Sequence, residues 1–244
     1  MVTQNKTFQT GKEYCLGDIF NGENKIIIPD LQRDYCWGDK DDLVENFTDN
    51  LIDLFLKDKS QHITMGLIYG YEYPPHYLQL CDGQQRLTTL FLLLGLLNKR
   101  TKNSFEQYII TDTIRKEPRL QYAIRENTLY FLFDLAGNFF TGDNITLHVK
   151  DIRKQPWYFK DYDVDPSIQS ILNALDIVDK RLTSQNIKNK YKILYFPTYR
   201  RIEEDLRKLN IGPKNVAPGE EILNSKFSGE LIHFGMEDVD HRIK

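Results

Sequence analysis

The clearest hydrophobic pattern in the chain lies between Tyr77 and Arg100, which read YLQLCDGQQRLTTLFLLLGLLNKR. The short alternating run Tyr77–Leu80 predicts a strand, and the run Leu87–Leu97, apolar on almost every side, predicts a helix buried over most of its surface. The polar stretch Asp82–Thr89 therefore lies at a strand-to-helix turn. Free backbone N–H groups and the positive end of a helix dipole meet at such a turn, and together they bind phosphate.

Periodicity elsewhere predicts a mixture of strands and helices. A β-branched run predicts a strand at Lys25–Ile28. A second strand at Ile63–Tyr69 would form a hairpin with Tyr77–Leu80 through a turn at Tyr71–His76. The predicted helices begin at a capping aspartate or a first-turn proline, namely at Asp39 or Asp41, at Pro118, and at Pro166 after Asp165. We therefore predict an α+β fold, with a small mixed sheet and helices in residues 1–104 and a helical subdomain in residues 105–185. Residues 186–244 would form a short α/β extension, with a strand at Lys192–Phe196 and a helix at Tyr199–Leu209.

Composition narrows the function classes. The chain has 244 residues and 41% hydrophobic content, which is ordinary for a globular protein. Its net charge is −3, so any contact with nucleic acid must come from a local patch. The first residues contain no apolar segment of the kind that a signal peptide needs, and no apolar run is long enough for a membrane span, so we expect no membrane span. Three scattered cysteines, with neither zinc nor disulfide spacing, favour a reducing cytoplasmic location.

The polar stretch after the predicted strand offers groups suited to a phosphate ester. Gly83 permits a tight turn and a close approach of a ligand to the backbone. Arg86 presents a fork of donors that matches phosphate oxygens, and Asp82 would bind a divalent metal or orient a water. Further donors and acceptors come from Gln84, Gln85, Thr88 and Thr89. A plainer interpretation stays open, in which Asp82 caps the helix and Arg86 pairs with a surface acid. The stretch lacks the spacing of a P-loop.

Two strings, CDGQQRLTTL and the earlier IPDLQRDYCW, resemble the DGQQR-motif family found in GmrSD type IV restriction proteins and in the SspE and BrxU phage-defence proteins. The resemblance covers about residues 10–183. It includes Arg125-Glu126-Asn127 and the stretch Gln155-Pro156-Trp157-Tyr158 ahead of a helix.

The resemblance implies a ParB/sulfiredoxin-like fold for residues 1–104 and a nucleoside triphosphate, together with Mg²⁺, as the cofactor. Carried over to this sequence, the catalytic positions are Asp82, Gln85 and Arg86. The nucleotide-binding positions are Gln32, Arg33, Tyr35, Trp37, Gly83, Gln84 and Thr88. Arg33 would add a second positive charge for a triphosphate. Tyr35 or Trp37 would either stack on a base or pack in the core.

Many members of this family carry an HNH-type nuclease domain or act with a partner that has one. The histidines of this chain show no such cluster, so a nuclease partner or a missing nuclease domain is expected. KILYFPTYRRIEEDL and LIHFGMEDVDHRIK, in residues 186–244, weakly resemble part of the OLD and RecF type of ABC ATPases. No Walker A motif precedes them, and we interpret the segment as a truncated or fused ATPase-like piece.

Three functions follow. The first is a nucleotide-binding and hydrolysing domain of an anti-phage restriction system that acts on foreign DNA. The second is a DNA-binding sensor without turnover, whose basic positions would be Arg33, Arg86, Arg115, Lys116, Arg119 and Arg125. The third is a metal-dependent DNA nickase built on Asp82, for which one carboxylate is a thin ligand set.

Overall fold

The computed structural model describes residues 8, 14, 16–57, 68–101, 103–123, 125–143 and 147–183. The helices are α1 (Leu16–Ile19), α2 (Asp41–Lys57), α3 (Gln84–Arg100), α4 (Glu106–Ile109), α5 (Glu126–Asp134) and α6 (Pro166–Leu182). The strands are β1 (Lys25–Ile28), β2 (Tyr69–Glu72), β3 (Tyr77–Asp82), β4 (Ile110–Asp112), β5 (Glu117–Pro118) and β6 (Leu120–Tyr122). The strand and helix predicted within residues 186–244, and their ATPase-like interpretation, lie outside the described residues.

A four-stranded mixed sheet has the order β2-β3-β1-β6. Strand β1 runs parallel to both β3 and β6, while β2 is antiparallel to β3. Alternation along the strands sends one face into the core, as in β3, where Leu78 and Leu80 are buried and Gln79 between them is only partly so. The predicted α+β class is confirmed.

The hairpin before α3 is confirmed, with its first arm shifted along the chain. Strand β2 occupies Tyr69–Glu72, where the sequence predicted part of the turn, and the reversal lies between Tyr73 and His76. The Tyr-Gly-Tyr-Glu stretch continues the ladder opposite β3 until Pro74, which has no N–H to donate. The earlier part of the predicted strand, residues 63–67, lies outside the described residues.

The helix predicted to begin at Pro118 is wrong. Pro118 pairs within β5, and Leu120–Tyr122 forms β6 at the free edge of β1. Its burial alternates with a period of two, and the ladder extends through the Ile26 N–H, which donates to the Arg119 carbonyl at 2.7 Å. The helix begins only at Glu126. A strand from the predicted helical subdomain thus completes the main sheet, while the proposed boundaries at 104 and 185 stay predictions.

The other long helices follow the sequence. In α3 every residue except Arg86 and Arg100 is buried. Asp165 caps α6 as predicted, accepting a hydrogen bond from the Ile168 N–H at 3.1 Å. Helix α6 packs against α2, α3 and the 3₁₀ turn Trp37–Asp39. Gly38 permits this approach, because a Cβ there would lie 1.8 Å from the Ser170 carbonyl oxygen. Among the described helices, none combines the length and apolarity that a membrane span requires.

Candidate functional site

The turn between β3 and α3 is built around a glycine in the left-handed region. Gly83 is the N-cap of α3 with a φ of 96°, and as a glycine it has no side chain with which to cap the helix. A Cβ at Gly83 would lie 2.7 Å from the buried Ile68 side chain. Asp82 is therefore not the cap. Its half-exposed carboxylate instead accepts a hydrogen bond from Arg86 at 3.1 Å, one helical turn ahead. The sequence left open an interpretation in which Arg86 pairs with a surface acid, and the structure shows such a pair with Asp82.

Gln85 points inward and binds the backbone of the loop that carries the second motif. Its Nε2 donates to the Asp34 carbonyl at 2.9 Å. Its Oε1 accepts from the N–H groups of Cys36 at 2.9 Å and Trp37 at 3.1 Å. One amide therefore satisfies one carbonyl and two N–H groups in a segment that has no ladder partner. We call residues 32–37 the motif loop.

Gln84 and Gln32 connect the same two segments. The Nε2 of Gln84 donates to the Arg33 carbonyl at 2.7 Å. In the opposite direction, the Nε2 of Gln32 donates to the Cys81 carbonyl at 2.9 Å. We call the hydrogen bonds between the motif loop and residues 81–89 the motif clasp. The two motifs, about fifty residues apart in sequence, thus form one structural unit.

Buried hydroxyl groups extend the motif clasp into the core. The Tyr35 hydroxyl lies 2.8 Å from Thr89 Oγ1, and the Tyr122 hydroxyl lies 3.1 Å from Thr88 Oγ1. Gln84 also donates to the Tyr122 hydroxyl at 3.3 Å. Burial raises the pKa of Tyr35 and raises that of Tyr122 to about 12, so both phenols stay protonated. Of the two predicted roles for Tyr35, stacking on a base or packing in the core, the structure shows packing in the core. The ring is fully buried, so neither of its faces is open to a base in this conformation.

The starts of α5 and α6 reach the motif loop from another side. The Arg125 guanidinium forms an ion pair with the Asp34 carboxylate and donates from Nη2 to the Gln32 carbonyl at 2.9 Å. The Ser167 hydroxyl donates to Asp34 Oδ1 at 3.0 Å and accepts from the Tyr35 N–H at 3.1 Å. The N-terminal ends of three helices, α3, α5 and α6, therefore surround the motif loop. Their dipoles place partial positive charge around it.

Among the predicted residues on the motif loop, Arg33 and Trp37 keep exposed surface, as does Gln32. The Arg33 side chain is exposed and forms no ion pair with any residue that the structure describes. Trp37 is half-buried and packs edge-on against Phe47, with ring centroids 5.4 Å apart. The structure thus brings the Arg33 backbone to the β3–α3 turn. Convergence of the Arg33 and Arg86 guanidinium groups stays a prediction.

The basic positions proposed for DNA contact are not one surface. Arg119 is buried and donates to the carbonyls of Gln107 at 2.6 Å and Asn24 at 2.9 Å, so it supports the fold. Lys116 pairs with Glu106 at 2.7 Å, and Arg115 is exposed at the β4–β5 turn. In the part of the chain that the structure describes, no three His, Cys, Asp or Glu side chains group as metal ligands would.

Sequence reasoning missed the contribution of Ser167 and the pairing of Asp34 with Arg125. Arg125 carried a signal, since it belongs to the Arg-Glu-Asn stretch that contributed to the resemblance. Ser167 carried none, because a serine after a first-turn proline is an ordinary start of a helix.

Comparison with protein families gives one match. A family model described as the N-terminal domain of the GmrSD restriction endonuclease matches residues 16–223. No curated protein and no solved structure matches the chain. The ParB/sulfiredoxin likeness therefore stays a prediction.

Proposed function

The chain belongs to the family of GmrSD restriction endonuclease N-terminal domains, and from this premise we propose that it binds and hydrolyses a nucleoside triphosphate in a phage-defence restriction system. In this proposal, nucleotide turnover is coupled to action on foreign DNA, which a nuclease domain or partner would cut.

The observation that carries the proposal is the motif clasp. Gln84 and Gln85 hold the backbone of residues 33–37, so that the Arg33 backbone lies beside the start of α3, the helix that bears Arg86. Two arginines and the positive end of α3, whose N-cap is a glycine, are groups that favour a polyphosphate. Arg33 is exposed, and Arg86 keeps 19% of its side chain exposed, beside the more exposed Asp82.

We assign Asp82 and Arg86, the ion pair at the turn, to the side of the site where the nucleotide would react. An incoming phosphate would compete with Asp82 for Arg86, because both offer oxygens to the same guanidinium. Asp82 would then be released to hold Mg²⁺ or to orient a water. Mg²⁺ is often bound through one or two carboxylates with substrate phosphates completing its shell.

The inward-pointing residues are assigned a different role. Gln84, Gln85 and Thr88 bond to protein groups, so we propose that they position the site rather than contact the nucleotide. Gly83 is assigned to the turn that makes this arrangement possible. Gln85, grouped by the resemblance with the catalytic residues, would on this proposal act through the motif loop.

The test is equilibrium binding of labelled ATP, GTP, CTP and UTP, each with and without Mg²⁺, followed by phosphate release with and without DNA. Loss of a charge-assisted hydrogen bond costs about 1.5–3 kcal/mol, so Arg86→Ala should weaken binding about 10- to 100-fold. Arg33→Ala should act in the same direction. Arg115→Ala is the matched control, since it removes an exposed arginine from the β4–β5 turn. No binding by the wild type at millimolar ligand, or equal weakening by the control, would exclude the proposal.

A further inference from the structure

The motif loop is held at every one of its six residues by a side chain from elsewhere in the chain. The carbonyls of Gln32, Arg33 and Asp34 accept hydrogen bonds from Arg125, Gln84 and Gln85 in turn. The Tyr35 N–H donates to the Ser167 hydroxyl, and the N–H groups of residues 36 and 37 both donate to Gln85. The backbone of this loop, which has no strand partner and enters a 3₁₀ turn at Trp37, is thus fixed from three helix starts.

Asp34 is the residue at which these supports meet. Its carbonyl is bound by α3 through Gln85, while its carboxylate is bound by Arg125 at the start of α5 and by Ser167 in α6. Arg33 is exposed, yet the residues on both sides of it are anchored. Its backbone is therefore held by Gln84 directly and by Arg125 through both neighbouring residues.

The starts of α5 and α6 are themselves tied together. Thr128 Oγ1 donates to Asp165, with distances of 3.1 and 3.3 Å to the two carboxylate oxygens. The same carboxylate caps α6 through the Ile168 N–H. Asp165 therefore joins the starts of the two helices that carry Arg125 and Ser167. A displacement of either helix start would change the contacts of these residues with Asp34.

We infer that Arg125 and Ser167 are positioning residues for the nucleotide site, acting through Asp34 to hold Arg33 in place for a phosphate. This inference rests on the proposed function. Its physical basis is preorganisation: a loop that is ordered before binding spends less of the binding free energy on ordering. Neither residue is assigned a contact with the nucleotide.

The experiment uses the full chain and reads the motif loop directly. Residue-resolved amide hydrogen exchange at residues 35–37, without nucleotide, is compared for the wild type, Arg125→Met, Ser167→Ala and Arg125→Lys. Arg153→Met is the matched control, because Arg153 forms a comparable ion pair with Asp163 at 2.7 Å, and its partners do not include the motif loop. Arg125→Met should speed exchange at these amides at least tenfold, and Ser167→Ala should speed it most at residue 35. Arg125→Lys should restore part of the protection, since one ammonium replaces a guanidinium that reaches two acceptors.

Nucleotide binding then tests whether this order matters to the site. Arg125→Met should weaken binding about tenfold, and adding Arg33→Ala should cost less in that background than in the wild type. Unchanged exchange, or full additivity with Arg33→Ala, would overturn the inference while leaving the proposed function intact. A wild-type protein that binds no nucleotide would exclude both the proposed function and this inference. The exchange data distinguish that result from one in which only the inference fails.

Discussion

Replacing Gln85 by methionine separates a residue that holds the fold from one that contacts a ligand. Methionine keeps the length and most of the volume of glutamine but removes its donor and acceptor. In the structure this leaves the Asp34 carbonyl and the N–H groups of Cys36 and Trp37 without their partner. Each buried polar group left unsatisfied costs about 1–3 kcal/mol. Three such groups, partly relieved by water at the edge of the motif loop, give an expected loss of about 3–5 kcal/mol in the free energy of unfolding.

The assay is urea or thermal unfolding, in which a loss of this size lowers the Tm by about 6–20 °C for a chain of this length. Gln155→Met is the control, because that half-buried glutamine makes a single local bond to the Asp151 carbonyl at 3.1 Å, and it should lose less than about 1 kcal/mol. A Gln85→Met protein as stable as the control, but unable to hydrolyse nucleotide, would refute the assignment and return Gln85 to the catalytic role implied by the resemblance.

Two further predictions concern α3. Gly83→Ala should destabilise the protein by about 1–3 kcal/mol, because it forces a Cβ into the left-handed region and against Ile68; Gly137→Ala, which lacks the positive φ, should change the melting temperature far less. Burial lowers the pKa of Lys99 to about 8, against about 10.4 in an unfolded chain. The folded state therefore loses this proton first, and between pH 8 and 10.5 the wild type should gain up to about 3 kcal/mol relative to Lys99→Met; parallel pH profiles of the two proteins would contradict this.

The pattern of hydrophobic residues was sufficient to predict the strands and helices in which that pattern is strong. The alternation in Tyr77–Leu80 and the continuous apolar run after it predicted β3 and α3, and the Asp-Pro start predicted α6. Period alone failed at Leu120–Tyr122, where three residues are too few to distinguish a strand from the edge of a helix. Their conformation is decided by the free edge of β1, which lies nearly a hundred residues earlier in the chain. No local pattern contains that information.

The candidate site, too, was predictable from the sequence only in part. The sequence identified the polar residues of both motifs, but it could not decide which of them are available to a ligand. For Tyr35 it left stacking on a base and packing in the core both open. The structure shows the second, because an aromatic ring in a polar segment can be fully buried once its hydroxyl finds a partner such as Thr89. Arg125 carried a signal through the resemblance, but its pairing with Asp34, and the role of Ser167, could not be inferred because they depend on how α5 and α6 pack.

One signal in the sequence does separate the two kinds of residue. Residues four apart on a helix share a face, and α3 uses two such pairs inward: Gln84 with Thr88 toward Tyr122, and Gln85 with Thr89 toward Tyr35. Asp82 ends β3 and pairs with Arg86 on the side of the turn where the Asp82 carboxylate is half-exposed. A glutamine amide both donates and accepts, so it can satisfy a loop carbonyl and loop N–H groups together, which neither arginine nor aspartate can do. The glutamines of the motif are therefore suited to binding backbone, and they lie between the two motifs. Under the proposed function, Arg33 and Arg86 would bind phosphate, while the anionic Asp82 would hold Mg²⁺ or orient a water.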